Sequence, residues 1–175
     1  VTIQSIKDKL LKSFEGRDLG EVSSFLGMNI YRDKQQQLLK IDQTGLANNI
    51  IQQFGMEEAK TRSTPFGTAT RLTANEGEPL DTAIYPYSTL VGKLMFLAVA
   101  TRPDLAYSVS ALTRFMARPT LAHWQAAKGV VRYLASTVDA GITYRGSNTE
   151  LVAYCDADYA GDIDTRRSTT GYVFI

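Results

Sequence analysis

Three apolar runs with helical spacing restrict the fold of this chain more than any other feature. In each run, large apolar residues recur every three or four positions, which is the period of one face of an α-helix. The positions are Tyr87, Leu90, Leu94 and Leu97, then Leu105, Val109, Leu112 and Met116, then Trp124, Ala127, Val131, Leu134 and Val138. The pattern predicts three helices that share one core. Thr101 with Asp104 three residues later resembles a capping box, and Thr120 after Pro119 is a favourable N-cap.

The first part of the chain mixes helical and strand patterns. A helix ending at Gly16 is predicted from the spacing of Ile3, Ile6, Leu10 and Phe14. Residues 22–31 alternate as a strand, 34–37 form a polar turn, and 38–41 return as the partner strand of a hairpin. Gly27 lies inside the predicted strand, where a glycine often marks the close approach of another backbone.

A further helix and a polar segment follow the hairpin. Thr44 is a candidate N-cap, and Gly55 is a candidate left-handed stop, for a helix with the apolar face Leu46, Ile50, Ile51 and Phe54. Residues 67–81 hold few large apolar side chains and several turn formers, so we expect a surface linker there. After the three helices, 141–145 is typical of a short strand and 146–148 of a turn.

Composition narrows the class of protein. The chain has 175 residues, 44% of them hydrophobic, which is enough to build a core. Its one cysteine excludes an internal disulfide and a multi-cysteine zinc site, so we expect an intracellular protein of the cytoplasm or nucleus. We see no membrane span and no signal peptide. Because the chain begins with Val1 and both ends fall within patterned sequence, we expect a piece of a longer polypeptide.

Basic residues are concentrated in the middle of the chain, although the net charge is only +1. Over that span only Asp104 and Asp139 oppose them. Such an excess either faces phosphates or covers a solvated helix surface, and both interpretations stay open. The basic residues are Lys93, Arg102, Arg114, Arg118, Lys128, Arg132 and Arg145.

Four aspartates lie close together near the end of the chain: Asp156, Asp158, Asp162 and Asp164. Strand-like runs flank them at 151–155, which has the period of a half-buried strand, and at 172–175. The spacing imitates an EF-hand loop but puts Ala160 and Arg167 where oxygen ligands are needed, which argues against calcium. A carboxylate at a strand end suits divalent-metal phosphoryl chemistry better, with Asp156 as the best candidate. The alternative that these aspartates cap turns stays open.

Two other reactive side chains stand alone in the sequence. His123 has no nearby Ser, Cys or second His, so we expect a structural role in the first turn of the third helix. Cys155 alternates with core-type residues in the strand-like run, and we expect it to be an inert strand residue.

Eight ordered motifs resemble the Pol polyprotein of copia-type long-terminal-repeat retrotransposons, over essentially the whole chain. They are Phe14-Glu15 with Asp18-Leu19-Gly20-Glu21, Phe25-Leu26-Gly27, Tyr87-Ser88-Thr89-Leu90-Val91-Gly92-Lys93-Leu94, Ala100-Thr101-Arg102-Pro103-Asp104, His123-Trp124 with Ala126-Ala127-Lys128, Arg132-Tyr133-Leu134, Asp156-Ala157-Asp158-Tyr159-Ala160-Gly161-Asp162 and Arg167-Ser168-Thr169-Thr170-Gly171-Tyr172.

The resemblance implies an α+β chain with a β-hairpin and thumb-like helices, a three-helix connecting block, and the first hairpin of an incomplete ribonuclease H-like sheet. Residues 1–66 would be the end of the reverse transcriptase palm and the thumb, and 67–83 a linker. Residues 84–145 would be the helical connection region, and 150–175 the truncated start of ribonuclease H. The Tyr-x-Asp-Asp turn of the polymerase would lie upstream, and the other ribonuclease H carboxylates downstream.

The resemblance also implies roles for individual residues. Phe25, Leu26 and Gly27 resemble the primer grip, on which the 3′ end of the primer rests. Asp156 resembles the first metal-binding carboxylate of ribonuclease H, which would hold Mg²⁺ together with ligands from outside this chain. Lys128 and Arg132 would track the phosphates of an RNA–DNA hybrid or a primer–template.

We therefore interpret the chain as part of a polyprotein for RNA-directed DNA synthesis and RNA–DNA hybrid cleavage, inactive alone and completed by the remainder of Pol. One alternative is a catalytically dead relic that only binds nucleic acid. Another is a self-sufficient metal nuclease that uses the four aspartates. An exposed edge strand in the closing hairpin would also favour aggregation.

Overall fold

Helices and strands both contribute to the fold, as an α+β chain requires. The computed structural model describes residues 2–67, 70–74, 77–146 and 150–175. The helices within these ranges are α1 Ile3–Ser13, α2 Thr44–Gln53, α3 Tyr87–Ala100, α4 Ala106–Thr113 and α5 Leu121–Ala135, with a 3-10 turn at Pro103–Leu105. The strands are β1 Ser24–Phe25, β2 Met28–Asp33, β3 Leu38–Asp42, β4 Gly141–Arg145, β5 Ala153–Ala157 and β6 Thr170–Phe174.

The three predicted helices are confirmed as α3, α4 and α5, and they form the centre of the core. Their periodic apolar residues are buried, apart from the partly buried Met116 and Val138, and Ile50 of α2 packs into the same cluster. The Tyr87 hydroxyl donates a buried hydrogen bond of 2.8 Å to the carbonyl oxygen of Leu112, which joins α3 to α4. Burial raises the pKa of Tyr87, so the ring donates this bond as a neutral phenol.

One of the two predicted helix starts is confirmed. Thr120 is the N-cap of α5, and its backbone N–H donates to Nδ1 of His123 over 2.9 Å in a capping box. The capping box expected at Thr101 and Asp104 is wrong, because Thr101 ends α3 and its hydroxyl donates to the buried Gln43 amide oxygen over 2.9 Å. Asp104 instead receives hydrogen bonds from side chains outside its own turn.

A four-stranded antiparallel sheet with the order β1-β2-β3-β4 packs beside the helices. The predicted hairpin is confirmed, with Ile30 opposite Ile41. The predicted continuous strand over 22–31 is wrong, because Leu26 and Gly27 have φ angles of 49° and 77° and form a two-residue turn between β1 and β2. A type I′ hairpin turn needs positive φ at both central positions, so backbone conformation explains this glycine.

Strand β4 follows the helical block in the sequence and forms the last strand of the sheet. It pairs with β3 in a register that places Ile142 opposite Ile41 and Gly141 opposite Asp42. A Cβ at position 141 would overlap the carbonyl oxygen of Ile41 and lie 3.0 Å from Cα of Asp42. The strand predicted at 141–145 is thus confirmed, and it begins with a glycine because the neighbouring backbone leaves no room for a side chain.

The starts and ends of α1 and α2 differ from the predictions. Helix α1 ends at Ser13, and Phe14 is already extended, so Gly16 does not end it. Helix α2 begins at Thr44 itself, and the Asp42 carboxylate accepts from the Thr44 N–H over 3.2 Å and from its hydroxyl over 2.8 Å. Gly55 after α2 has φ 60°, which confirms the left-handed stop.

Part of the predicted surface linker belongs to the packed structure. Leu72 is buried in the core, and Pro79 forms a bridge with Thr120. The N–H of Leu80 donates to the carbonyl oxygen of Pro119 over 2.8 Å. The remaining linker residues Thr68, Ala69, Asn75 and Glu76, and residues 147–148 of the predicted turn after β4, lie outside the described residues.

Strands β5 and β6 form a separate two-stranded sheet, in which Asp156 is opposite Gly171. Backbone bonds between Val152 and Ile175 continue the pairing beyond the strands. Both strands were predicted, but every position of each is exposed, so the half-buried character expected for 151–155 is wrong.

Among the described residues, no helix combines the length and apolar character needed to cross a membrane.

Candidate functional site

An exposed apolar tip marks the β1–β2 turn. Phe25 is 57% exposed and Leu26 is 70% exposed, while the backbone of Leu26 and Gly27 turns the chain at positive φ. A Cβ at Gly27 would have no neighbour within 4 Å, so the close approach of another backbone expected there is absent from the described residues. The three residues therefore stand together at the end of a hairpin, with two large apolar side chains facing solvent.

Asp156 lies in β5, and the space beside it on the partner strand β6 is open. Its cross-strand partner is Gly171, and a Cβ at Gly171 would have no neighbour within 4 Å. Within the described part of the chain, no hydrogen bond or ion pair involves the Asp156 side chain, which is exposed. This carboxylate is thus accessible to a ligand.

The other three aspartates are engaged in the loop between β5 and β6 and its surroundings. Asp158 accepts from the Thr169 N–H over 2.6 Å. Asp164 accepts from the Thr73 hydroxyl over 2.5 Å and from the Ala74 N–H over 2.8 Å, which ties the loop to residues 70–74. These two carboxylates organise turns and connections, which agrees with the turn-capping interpretation.

Asp162 connects the loop to the helical block. Its carboxylate accepts from the Thr165 hydroxyl over 2.7 Å and from the Asp164 N–H over 3.0 Å, and it pairs over 3.0 Å with Arg114, the residue directly after α4. The Thr165 hydroxyl is the main cause that holds the pKa of Asp162 below its usual range, with Arg114 acting in the same direction. Asp162 is therefore bound as a carboxylate.

The donor set for a metal is sparse. Across residues 2–67, 70–74, 77–146 and 150–175, no three side chains of His, Cys, Asp or Glu come together as a metal cluster. Asp156 alone among the four aspartates has an unengaged carboxylate. A Mg²⁺ ion can use one protein carboxylate when water and substrate phosphates complete its shell, so Asp156 fits as a single ligand.

Several of the basic residues in the middle of the chain have structural partners. Arg102 is only 2% exposed, and Nη1 donates to the Thr137 carbonyl oxygen over 2.8 Å. Lys93 donates to Asn49 and Gln53 of α2, and Arg114 pairs with Asp162. These three cations hold elements together.

Lys128 and Arg132 lie four residues apart on α5 and share one face of the helix. Nε of Arg132 donates to the carbonyl oxygen of Lys60, in the segment that follows α2. Both side chains are half-buried, and neither takes part in an ion pair among the described residues. They are available for an anionic partner.

A network around Arg102 was missed by the sequence reasoning. The guanidinium also binds Asp104, and the Tyr133 hydroxyl donates to the same carboxylate over 2.9 Å. Burial opposes the charged carboxylate, but the hydrogen bonds from Arg102 and Tyr133 prevail and lower the pKa of Asp104. Both Arg102 and Tyr133 lie in motifs that carried the resemblance, although no spacing rule connects them.

The two isolated reactive side chains have different outcomes. His123 is buried, caps α5 and stacks on Phe115 with 4.0 Å between ring centroids, so its structural role is confirmed. Cys155 lies in β5 as predicted, but its side chain is exposed. All positions of β5 and β6 are exposed, so the alternation in this strand does not place Cys155 in a core.

Curated transposon proteins are similar to this chain over nearly its whole length. The Retrovirus-related Pol polyprotein from transposon TNT 1-94 of Nicotiana tabacum is 39% identical over 98% of the chain, which corresponds to 13% of that polyprotein. The Retrovirus-related Pol polyprotein from transposon RE2 of Arabidopsis thaliana is 38% identical over 99% of the chain and 12% of the polyprotein. The putative transposon Ty5-1 protein of Saccharomyces cerevisiae is 35% identical over 96% of the chain and 54% of its own length.

The chain thus spans about one eighth of the length of the two plant polyproteins that it matches. No family model matches the chain. No solved structure matches it. The relationship rests on identities of 38–39% to three Pol polyproteins, each over 95–99% of the chain. The chain belongs to the Pol polyproteins of copia-type retrotransposons.

Proposed function

We propose that this chain is the part of a reverse transcriptase and ribonuclease H polyprotein that holds the primer–template and supplies the first ribonuclease H carboxylate. The observation that carries the proposal is the alignment with Pol polyproteins over 98–99% of the chain. RNA-directed DNA synthesis and RNA–DNA hybrid cleavage would be activities of the longer polyprotein.

The β1–β2 turn supports the primer-grip role. Phe25 and Leu26 present apolar surface at the tip of a hairpin, and the paired strands hold that tip in one orientation. Exposure of apolar side chains to water is unfavourable. Covering the sugar and base of a bound strand removes that apolar surface from water and would therefore favour binding. Gly27 permits the tight turn that brings both side chains forward.

The helical block supports the thumb and connection roles. The buried bond from Thr101 to Gln43 joins the end of α3 to the start of α2, and β4 joins the end of the block to β3. The hairpin that carries the turn is therefore connected to the helical block through β3. A grip that positions a primer end requires a fixed support, because small displacements of reacting groups slow a reaction strongly.

Asp156 supports the contribution to ribonuclease H. Its carboxylate is unengaged and faces an open space opposite Gly171, where a phosphodiester could approach. Bound Mg²⁺ would stabilise charge on the phosphate oxygens, and the task of Asp156 is to hold that ion at a fixed point on a paired strand. Among the described residues we assign no second ligand.

A chimera tests the proposal. This chain would replace the matching segment of the tobacco polyprotein, with the unaltered polyprotein as the positive control. We expect the chimera to carry out RNA-directed DNA synthesis and Mg²⁺-dependent cleavage of an RNA–DNA hybrid. Asp156→Asn should abolish cleavage and leave synthesis intact, whereas Phe25→Ala with Leu26→Ala should reduce primer extension.

Asp164→Asn is the matched control, since that carboxylate binds Thr73 and Ala74 and should matter little for cleavage. Equal loss of cleavage in both aspartate variants would reject the role of Asp156. Hybrid binding without any synthesis or cleavage would favour the nucleic-acid-binding relic instead.

A further inference from the structure

The segment after α2 is held along α5 by hydrogen bonds to its backbone. The N–H of Arg62 donates to the Arg132 carbonyl oxygen over 3.3 Å, and the Ser136 hydroxyl donates to the Arg62 carbonyl oxygen over 2.9 Å. Nε of Arg132 donates to the Lys60 carbonyl oxygen. Residues 60–62 therefore lie against the half of α5 that carries Lys128 and Arg132.

The Arg62 side chain packs against Gly129. This glycine is buried in the middle of α5, where glycine costs about 1 kcal/mol relative to alanine. A Cβ at this position would overlap Nη1 of Arg62, so the guanidinium occupies the space that a side chain would take. This places a third cation on the helix between Lys128 and Arg132.

Four basic residues thus belong to the seam between residues 60–62 and α5. Lys60, Arg62, Lys128 and Arg132 take part in no ion pair within the described ranges. The carboxylate of Asp104 is already bound by Arg102 and Tyr133. Positive charge without an ion-pair partner attracts a polyanion.

We propose that Lys60, Arg62, Lys128 and Arg132 form one binding site for the phosphate backbone of a nucleic acid duplex, hereafter the α5 basic site. The inference rests on the proposed function, and it adds Lys60 and Arg62 to the pair Lys128 and Arg132 that the resemblance implied. Lys128 and Arg132 are separated by about 6 Å along the helix axis, close to two base steps of about 3.4 Å along one strand. Guanidinium groups also suit phosphate because they can donate two parallel hydrogen bonds.

The test uses fluorescence anisotropy with a labelled RNA–DNA hybrid and the full 175-residue chain across a salt series. Lys60→Gln with Lys128→Gln removes two charges whose side chains have no hydrogen-bond or ion-pair partner among the described residues. We expect roughly tenfold weaker binding near 0.1 M salt and a log–log salt slope smaller by about 2. Lys9→Gln with Lys12→Gln on exposed α1 removes the same charge and should change both values little.

A variant that leaves the charge unchanged tests the site more sharply. Gly129→Ala displaces the Arg62 guanidinium and favours the helix, so it should weaken hybrid binding several-fold without lowering the melting temperature. Equal effects of the two lysine pairs, or unchanged binding of Gly129→Ala, would overturn the α5 basic site while the chimera result stands. Competition by polyglutamate as strong as by unlabelled hybrid would overturn it in favour of an acidic protein. Absence of salt-dependent binding by the unaltered chain would also overturn it.

Discussion

The guanidinium of Arg102 donates hydrogen bonds to both carboxylate oxygens of Asp104, with 2.8 Å from Nη2 to Oδ2 and 3.0 Å from Nε to Oδ1. The Arg102 side chain is 2% exposed, whereas that of Asp104 is 38% exposed. Arg102→Met would leave the partly buried Thr137 carbonyl oxygen without the Arg102 donor and the Asp104 carboxylate with only the Tyr133 hydroxyl. Because Asp104 can regain some water, we expect a loss of about 2–4 kcal/mol in the free energy of unfolding, measured with urea.

Arg118→Met is the matched control for this variant. Arg118 is exposed and takes part in no ion pair of the described chain, so its replacement should change the free energy by less than about 0.5 kcal/mol. Similar losses in the two variants would mean that the Arg102 network contributes nothing specific.

The same network predicts how stability depends on pH. The pKa of Asp104 is lower in the folded chain than its ordinary value, so the carboxylate stabilises the fold fully above that ordinary value of about 4. This contribution is lost as the pH falls through the lower folded pKa. We expect the urea midpoint to drop between pH 5.5 and pH 3, and to drop less in Asp104→Asn. An equal drop in both proteins would assign the effect to other carboxylates.

Two glycines that look alike in the sequence should respond in opposite ways to alanine. Gly141→Ala would force a Cβ against the Ile41 carbonyl oxygen, and we expect a loss of about 1–3 kcal/mol from overpacking. At Gly92 in α3, a Cβ has no neighbour within 4 Å, so alanine should be neutral or gain up to about 1 kcal/mol. Thermal melting of both variants measures the difference. Destabilisation at Gly92 equal to that at Gly141 would refute the steric explanation.

Cys155 should react in the native chain. Its side chain is exposed on β5, so a thiol reagent should modify one group per chain without denaturant. Cys155→Ser provides the blank. A thiol that reacts only in urea would show that the hairpin is covered in solution.

The β5–β6 hairpin should promote self-association. Both strands have a free edge and exposed apolar side chains such as Val173 and Phe174. Val173→Lys should lower concentration-dependent light scattering, because a charged residue on an edge strand disfavours pairing with another chain. Arg167→Lys, which preserves the charge of the adjoining loop, should leave the scattering as it is. A wild-type chain that stays monomeric at high concentration would contradict the prediction.

Local periodicity was sufficient to predict most of the elements. The three helices follow from apolar spacing alone, and the hairpin at 28–42 follows from alternation around a polar turn. Gly55 behaves as its position after α2 suggested. These features are set by residues close in sequence, which is why the sequence was informative about them.

The predictions were wrong where residues distant in sequence, or the backbone conformation, determine the structure. Thr101 has the sequence signature of a cap, but the buried amide of Gln43 takes its hydroxyl, 58 positions away. Gly27 was attributed to backbone contact, whereas its positive φ is what the turn requires. Leu72 could not be placed in the core from a polar stretch, because its burial depends on how the whole segment crosses the helices.

For the candidate site, the sequence indicated the residue types but not their surroundings. Lys128 and Arg132 were selected as basic residues on a helix, yet nothing in the order of residues places Lys60 or Arg62 beside them. That juxtaposition arises from hydrogen bonds that the side chains of α5 and of the residue after it donate to backbone carbonyl oxygens more than seventy positions earlier. Gly129 is the one local signal that could have been noticed, as a glycine inside a helical pattern.

The pairing of β3 with β4 affects the order in which this chain can assemble. Lys40 donates to the Asp139 carbonyl oxygen 99 positions further along, and all of α2 to α5 lie between the two strands in the sequence. At a synthesis rate of about 5–20 residues per second, roughly 5–20 s pass before the edge of β3 finds its partner. During that interval a nascent chain presents an unpaired strand edge, so β3 is the place where translation speed and chaperone access decide between folding and misassembly.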